Sequence, residues 1–223
     1  MKKVNELIKL PEVKTIFNLF NNNQGIYLVG GCIRDTLSGK EVTDIDFAID
    51  IDPEEVVKTL SNNNIKFYDI GINYGTVTAV IDSKNYEITS LREDIETDGR
   101  HAKVKYTSDI KADSLRRDFT INAIYANRDG ELFDFHNGID DIENRNLKFI
   151  GSANDRVKED YLRILRYFRF YADFSNFEID ANLKKVFKEG SKNFSKISKE
   201  RIWTELKKII NQNNSFKSLS MMN

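Results

Sequence analysis

Two aspartates separated by a single residue are the strongest chemical signal in this sequence. Asp44 and Asp46 lie in the segment TDIDFAI, where apolar residues alternate with the acids, a pattern that predicts a β-strand over 44–49. Because alternate strand side chains share a face, both carboxylates would lie on one side of the sheet. Two adjacent negative charges repel each other unless a cation neutralises them, and Mg²⁺ prefers carboxylate, phosphate and water oxygens. The spacing indicates a magnesium site; the alternative is a solvated edge strand with unrelated acids.

A glycine pair, Gly30 and Gly31, separates a predicted buried strand at 26–29 from a predicted helix. Glycine lets a phosphate approach the backbone, and the free N–H groups at a helix start attract it. Arg34, one turn into that helix, could bind phosphate oxygens through its guanidinium fork. The pair matches neither a dinucleotide-binding fingerprint nor a P-loop, and alone it is more often a plain tight turn. Its combination with Arg34 and the following Asp-x-Asp pattern favours a phosphate site.

The segment that joins these two motifs, YLVGGCIRDTLSGKEVTDIDFAI, resembles the first signature of the class II tRNA nucleotidyltransferase and bacterial poly(A) polymerase family, within the DNA polymerase β-type superfamily. Three later segments are similar to further family motifs in the same order: RRDFTINA at 116–123, EDYLR at 159–163 and SKERI at 198–202. The resemblance covers about residues 25–210. It implies an α+β fold, with a polymerase β-type head built on a small mixed or antiparallel sheet and helices, followed by an all-α neck.

The resemblance also implies roles for individual residues. It assigns catalysis and metal binding to Asp44 and Asp46. It assigns nucleotide binding to Gly30, Gly31, Arg34, Arg117, Asp118, Asn122, Asp160, Arg163, Arg166 and Arg169. Asp118 and Asn122 are four residues apart, so on a helix they would share a face and present polar atoms to a ribose. Without the resemblance, Arg117 and Asp118 would be interpreted as ordinary helix-surface charge.

Asp160 and Arg163 form an i, i+3 pair that could read a base. A carboxylate accepts from an exocyclic amine while a guanidinium donates to a ring nitrogen or carbonyl, which suits cytosine and adenine and rejects uracil and guanine. The alternative is a solvated salt bridge. The resemblance gives Arg166 and Arg169 contacts to nucleotide or primer phosphates. The alternative interpretation pairs at least one of them with Glu159 or Asp173.

Composition limits the possible partners. The 223 residues carry 34 Lys and Arg against 35 Asp and Glu, a net charge of −1, so any RNA must be bound by a local basic patch. The basic residues best placed in the sequence for this patch are Arg100, Lys103, Lys105, Arg116 and the arginines between 156 and 169. The single cysteine, Cys32, excludes an internal disulfide framework. No signal peptide and no apolar run of ~18 residues is evident, so a cytoplasmic protein without a membrane span is expected.

The chain divides by pattern into a head over 1–146 and a helical neck over 147–223. Runs at 65–70, 76–81 and 86–91 predict three further strands, and Glu87 on the last is a possible third acid. The polar segment 92–113 is expected to be a long loop. The ending NNSFKSLSMMN is neither capped nor periodic and is expected to be frayed. The further helical body and tail regions of family members have no counterpart in this sequence. Firm tRNA binding is therefore expected to need a second chain or a missing C-terminal region.

These patterns predict a template-independent enzyme that adds CMP and AMP from CTP and ATP to the 3′ end of tRNA, at the acceptor stem, with Mg²⁺ as cofactor and release of pyrophosphate. A same-family alternative is an A-adding or polyadenylating enzyme, since these share every motif quoted. An alternative of another class is a truncated, inactive RNA-binding remnant.

Overall fold

A mixed seven-stranded sheet and a two-stranded ribbon make up the β-structure of this computed structural model, which describes residues 2–21, 23–97 and 102–222. The strands are β1 (Ile26–Val29), β2 (Asp46–Ile49), β3 (Lys66–Tyr68), β4 (Thr76–Ile81), β5 (Lys84–Ser90), β6 (Arg92–Thr97), β7 (Ala102–Tyr106), β8 (Ile124–Ala126) and β9 (Leu132–Asp134). The order in the large sheet is β3-β4-β5-β2-β1-β8-β9, and β6 pairs with β7. The β2–β5 pair is parallel, and the other neighbours run antiparallel.

The helices precede, interrupt and follow these strands. They are α1 (Lys2–Ile8), α2 (Pro11–Leu19), α3 (Gly31–Ser38), α4 (Pro53–Asn62), α5 (Ile110–Leu115), α6 (Gly138–Glu143), α7 (Ala153–Glu159), α8 (Leu162–Phe174), α9 (Ala181–Ser191), α10 (Lys199–Ile210) and α11 (Ser215–Met221). Proline opens α2 and α4. Side chains cap the first turns of α9 and α10, where Asp180 accepts from the Leu183 N–H and Ser198 from the Arg201 N–H. No helix within the described ranges is both long and apolar enough to cross a membrane.

One hydrophobic core runs from the sheet into the helical C-terminal region. Helix α2 packs on the sheet through Phe17, whose ring meets that of Phe47 edge-on at 5.5 Å between centroids. Phe119 carries the core onward, because its ring lies 4.7 Å from that of Phe149 and 5.6 Å from that of Phe170 in α8. The expected α+β head followed by helices is confirmed, while the boundary between 146 and 147 stays a prediction.

Three local predictions are wrong. Strand β2 begins at Asp46, so Asp44 lies in the preceding loop rather than on the strand. The segment 92–113 is not a long loop, because it contains the β6–β7 ribbon and the start of α5. Glu93 of β6 is in register with Lys105 of β7, so opposite charges face each other across the ribbon, and charge density alone gave a false loop signal. The C-terminal segment is helical over 215–221, where the Ser218 hydroxyl donates to the Phe168 carbonyl at 2.6 Å.

Candidate active site

Three carboxylates gather where β2 and β5 lie side by side. Asp46 is in register with Glu87 of the parallel neighbour, and exposed Asp44 precedes it by two residues. Burial, followed by the charges of Glu87 and Asp44, raises the pKa of Asp46 to about 6 against the opposing effect of Arg117 and Arg34. The cluster therefore holds more negative charge than the nearby cations balance, an environment that favours a bound divalent cation. Glu87 is thus placed as a third acid of this cluster.

The donor set of this cluster fits Mg²⁺. All three side chains offer carboxylate oxygens, the ligands that hard divalent cations prefer. In the part of the chain that the structure describes, no group of three or more His, Cys, Asp or Glu side chains is placed so that it could hold a metal ion by itself. Remaining ligands would have to come from phosphates and water, which is how Mg²⁺ is commonly held with a nucleotide.

The glycine pair forms the turn between β1 and α3. Gly30 has φ +76°, a left-handed backbone that favours glycine, and a Cβ there would lie 3.8 Å from a guanidinium nitrogen of Arg117. Arg34 is buried, and its Nε and Nη2 donate to the Asp35 carboxylate at 2.9 and 2.8 Å. Its Nη1 donates to the Asn122 side chain at 2.7 Å. The bidentate edge expected for phosphate is therefore already paired with Asp35, and the phosphate role of Arg34 stays a prediction.

Asp113 holds the two arginines that precede Asp118. The Asp113 side chain is fully buried and lies 2.8 Å from Arg116 and 3.1 Å from Arg117. The Tyr125 hydroxyl donates to the same carboxylate at 2.6 Å. Burial alone would raise the pKa of Asp113, but the charges of Arg117 and Arg116 bring it down to about 2. Sequence reasoning missed this residue, although its i, i+3 and i, i+4 spacing to the arginines was a usable signal.

Asp118 and Asn122 contact each other without sharing a helix face, so that prediction is wrong. Asp118 lies in an irregular segment, and only Thr120–Asn122 forms a single 3₁₀ turn. The Asn122 amide donates to Asp118 at 3.0 Å, and the Arg166 guanidinium donates to the other carboxylate oxygen at 2.6 Å. Burial opposes ionisation, but Arg166 and these hydrogen bonds lower the pKa of Asp118 to about 2. Asp118 is therefore an ionised, fixed acceptor.

Asp160 and Arg163 lie at a break between two helices and do not pair with each other. Asp160 follows α7 with an extended backbone, at φ −152°, so it does not continue into α8. Its carboxylate binds Arg201 at 2.7 Å. Arg163 binds Glu159 and donates to the main-chain carbonyl of Arg116 at 3.2 Å. The i, i+3 spacing did not indicate this helix break. Because of the break, Asp160 is held by Arg201 and Arg163 is held by Glu159.

Arg166 and Arg169 bind carboxylates from distant parts of the chain. Arg169 donates to Glu205 of α10 at 3.2 Å, while Arg166 binds Asp118. The alternative pairing with Glu159 or Asp173 is wrong. Asp173 binds Lys40 at 2.6 Å instead, and Glu159 binds Arg156 and Arg163. Sequence reasoning missed Glu205, which is buried and 36 residues from its partner, because no local spacing signals such a contact.

All the residues predicted for the site line one cavity of about 590 Å³. Its walls also include Asp35, Thr43, Glu87, Arg116, Phe170 and Lys208. The aromatic ring of Phe170 is approached by Arg34 and Arg169, each 4.7 Å from its centroid. The volume falls within the range of small-ligand sites, and the combination of arginines with carboxylates suits a metal-bound polyphosphate.

The expected RNA-binding patch is described only in part. Arg100 and the side chain of Lys103 lie outside the described residues. Lys105 is exposed on β7, and Arg116 is half-buried against Asp113. Arg163, Arg166 and Arg169 lie in the cavity rather than on an open surface. Arg156 does not line the cavity, so four of the eight predicted patch residues belong to it, and the surface that meets RNA outside it stays a prediction.

Two family models match the chain. The model described as "Poly A polymerase head domain" matches residues 26–148, more than half of the sequence. The chain belongs to the class II CCA-adding enzyme and poly(A) polymerase family. A second model, described as "Probable RNA and SrmB- binding site of polymerase A", matches 176–223. The family resemblance predicted from the motifs is thereby confirmed.

Individual members of the CCA-adding family agree in sequence and fold. "CCA tRNA nucleotidyltransferase 1, mitochondrial" of Homo sapiens is 42% identical over 202 residues, which span 89% of this chain and 46% of the human protein. The Bacillus stearothermophilus CCA-adding enzyme, solved in complex with CTP, superposes with a TM-score of 0.82 at 28% identity, covering 95% of this chain and 52% of that one. A CCA-adding enzyme solved with ATP has a TM-score of 0.75 at 26% identity, covering 99% and 53%. The chain thus spans about half the length of these relatives.

Proposed function

We propose that this chain carries the catalytic part of a template-independent nucleotidyltransferase that adds CMP and AMP, from CTP and ATP, to the 3′ end of tRNA. The observation that carries the proposal is the acidic cluster of Asp44, Asp46 and Glu87, which opens onto a cavity lined by arginines. Relatives solved with CTP and with ATP, and a human relative named for tRNA, support the choice of substrates.

The reaction joins the 3′ oxygen of the RNA to the α-phosphorus of the nucleotide and breaks the bond from that phosphorus to the pyrophosphate oxygen. The hydroxyl proton passes to solvent. Mg²⁺ held by Asp44 and Asp46 would neutralise phosphate charge and lower the pKa of the hydroxyl. The arginines of the cavity bind and orient the triphosphate, with Arg117 and Arg166 fixed by the buried carboxylates of Asp113 and Asp118.

Choice of base is assigned to Asp160 and Arg163. Their support comes from Arg201 and Glu159, so neither needs the other to hold its position. A carboxylate has about four acceptor positions and a guanidinium five N–H donors, so both keep hydrogen-bonding capacity for a base. Asp160 accepts from the exocyclic amine, and Arg163 donates to the adjacent acceptor, the pattern that cytosine and adenine share.

The test is sequencing of RNA 3′ ends after incubation of the chain with a tRNA lacking CCA, plus Mg²⁺, CTP and ATP. Added CCA supports the proposal. Addition of A alone indicates an A-adding enzyme, and long A tracts indicate a poly(A) polymerase. RNA binding without any addition supports the inactive remnant. Asp46→Asn is the matched inactive control.

The cytoplasmic location of the protein stays a prediction, and imaging in cells would test it.

A further inference from the structure

A straight row of side chains crosses four strands of the sheet. Asp46 on β2 is in register with Glu87 on β5, Glu87 with Thr78 on β4, and Thr78 with Tyr68 on β3. Registered neighbours point to the same face of a sheet. Strands lie ~4.8 Å apart, so three steps place the Tyr68 backbone about 14 Å from that of Asp46. The row connects the acidic cluster to the edge strand of the sheet.

A second cavity, of about 500 Å³, opens along this row. It shares Asp44, Asp46 and Glu87 with the first cavity, and its other lining residues are Ile45, Tyr68, Ile70, Thr78 and Asn85. None of these lining residues is a lysine or arginine. Tyr68 is 43% exposed and Ile70 is 89% exposed, so the end of the cavity farthest from the acids presents an open aromatic and aliphatic surface.

We propose that this second cavity binds the 3′-terminal nucleotide of the RNA, with Tyr68 stacking on its base. The inference rests on the proposed nucleotidyl transfer. In such a transfer the attacking and leaving oxygens lie roughly in line on opposite sides of the phosphorus. The triphosphate suits the arginine-lined cavity, so the hydroxyl must approach the acids from the other side. That side is the second cavity, where the five lining residues other than the shared acids are uncharged and suit a base and a ribose.

The chemistry of Tyr68 fits a primer end that changes during synthesis. Every base has a π-face, so stacking on an aromatic ring accepts whichever base is terminal after each addition. Lys66, two residues away on β3, holds its ammonium over one face of the Tyr68 ring, 5.4 Å from the ring centre. The proposed base stacks on the opposite face, and the positive charge matches the phosphate that precedes this base.

The experiment uses an acceptor-stem RNA hairpin with fluorescent 2-aminopurine as its 3′-terminal base. Binding to the wild-type chain is expected to quench the fluorescence through stacking. Tyr68→Ala is expected to lose the quench and to raise the KM for RNA about tenfold, the scale of base–aromatic stacking, with the KM for CTP unchanged. Tyr68→Phe keeps both properties. Phe216→Ala removes a more exposed aromatic, 83% accessible, from α11 and serves as the matched control.

Tyr68→Leu keeps apolar bulk on the edge strand, and its loss of quench would support stacking even if Tyr68→Ala folds poorly. Unchanged quench and RNA KM in folded Tyr68→Ala would overturn the primer-end site. The wild-type chain could show quenching that depends on Tyr68 and yet add no nucleotide to any RNA. In that case the primer-end site stands and the proposed activity fails. If nucleotides are added to RNA at the same rate without Tyr68, the primer-end site is wrong and the proposed activity still stands.

Discussion

The carboxylate of Asp118 lies 2.6 Å from the guanidinium of Arg166, a residue 48 positions further along the chain. Asp118 also accepts from Asn122, which in turn accepts from Arg34 of α3. Arg166 approaches Glu205 of α10 at 3.9 Å. One connected polar network therefore reaches from the glycine turn to the C-terminal helices, and it crosses the cavity where the nucleotide is proposed to bind.

Asp46→Asn is expected to abolish nucleotide transfer without unfolding the chain. The amide keeps the shape of the side chain but loses the charge that would hold Mg²⁺. It also removes the cost of burying a charge and the repulsion from Glu87 and Asp44, which together raise the pKa of Asp46, so the Tm in metal-free buffer should stay level or rise slightly. Transfer rates and thermal melts measure both effects, with exposed Asp69→Asn as the control. Substantial turnover by Asp46→Asn at saturating Mg²⁺ would contradict the metal assignment.

Arg163→Ala is expected to relax nucleotide choice more than it weakens triphosphate binding. Loss of a base-specific donor typically costs ~1–3 kcal/mol of discrimination, so the ratio of CMP to UMP incorporation should fall by a factor of about 5 to 150. Arg156→Ala is the control, since Arg156 also binds Glu159 but does not line the cavity. If the ratio holds while affinity for CTP collapses, Arg163 acts on phosphate or on structure instead.

Asp113 is expected to make the fold acid-sensitive in a defined window. The neighbouring arginines lower its pKa to about 2 in the folded chain, against ~3.9 when unfolded. A group with a lowered folded pKa stabilises the fold above its unfolded pKa, and that stabilisation is lost as the pH falls from ~4 towards 2. The loss from this group is about 3 kcal/mol in the free energy of unfolding.

Denaturant melts between pH 2 and pH 6 measure the effect. Asp113→Asn should be less stable than the wild type near neutral pH, because Arg116 and Arg117 lose their buried partner. The free energy of unfolding of Asp113→Asn should also fall less than that of the wild type as the pH is lowered from ~4 towards 2. Asp118, with a similarly lowered pKa, contributes to both proteins and therefore cancels in the comparison. If the free energies of unfolding of the wild type and Asp113→Asn fall in parallel as the pH is lowered, Asp113 is not a cause of the acid sensitivity.

The 223-residue chain tested by itself is expected to use an acceptor-stem minihelix about as well as full tRNA. The chain spans about half the length of its relatives, and its net charge is −1, so few phosphates can be neutralised. Addition should be sensitive to salt, since each phosphate contact contributes about one power of salt concentration to the loss of affinity. Initial rates on both RNAs at low and moderate salt measure this. A strong preference for full tRNA would reveal a binding surface not yet identified.

Local patterns predicted the site residues, while their support came from contacts that no local pattern contains. The residues that stand in recognisable spacings and that the structure brings to one cavity include Asp44, Asp46, Arg117, Arg163, Arg166 and Arg169. Glu205 and Arg201 hold cavity residues from 36 and 41 positions away. The geometry of Asp160 depends on a helix break, and the β6–β7 ribbon depends on the pairing of two strands. These depend on tertiary contact, which spacing along a chain does not encode.

The arginines around Phe170 have a further consequence for turnover. Seven basic side chains line the large cavity, but six acidic ones line it too, and Asp35, Asp118 and Glu205 already hold Arg34, Arg166 and Arg169. A polyphosphate in this cavity would therefore meet arginines that keep their resident counterions, so its binding should depend on shared hydrogen bonds more than on uncompensated positive charge. We expect pyrophosphate to leave such a charge-balanced cavity more easily than one lined by unpaired cations.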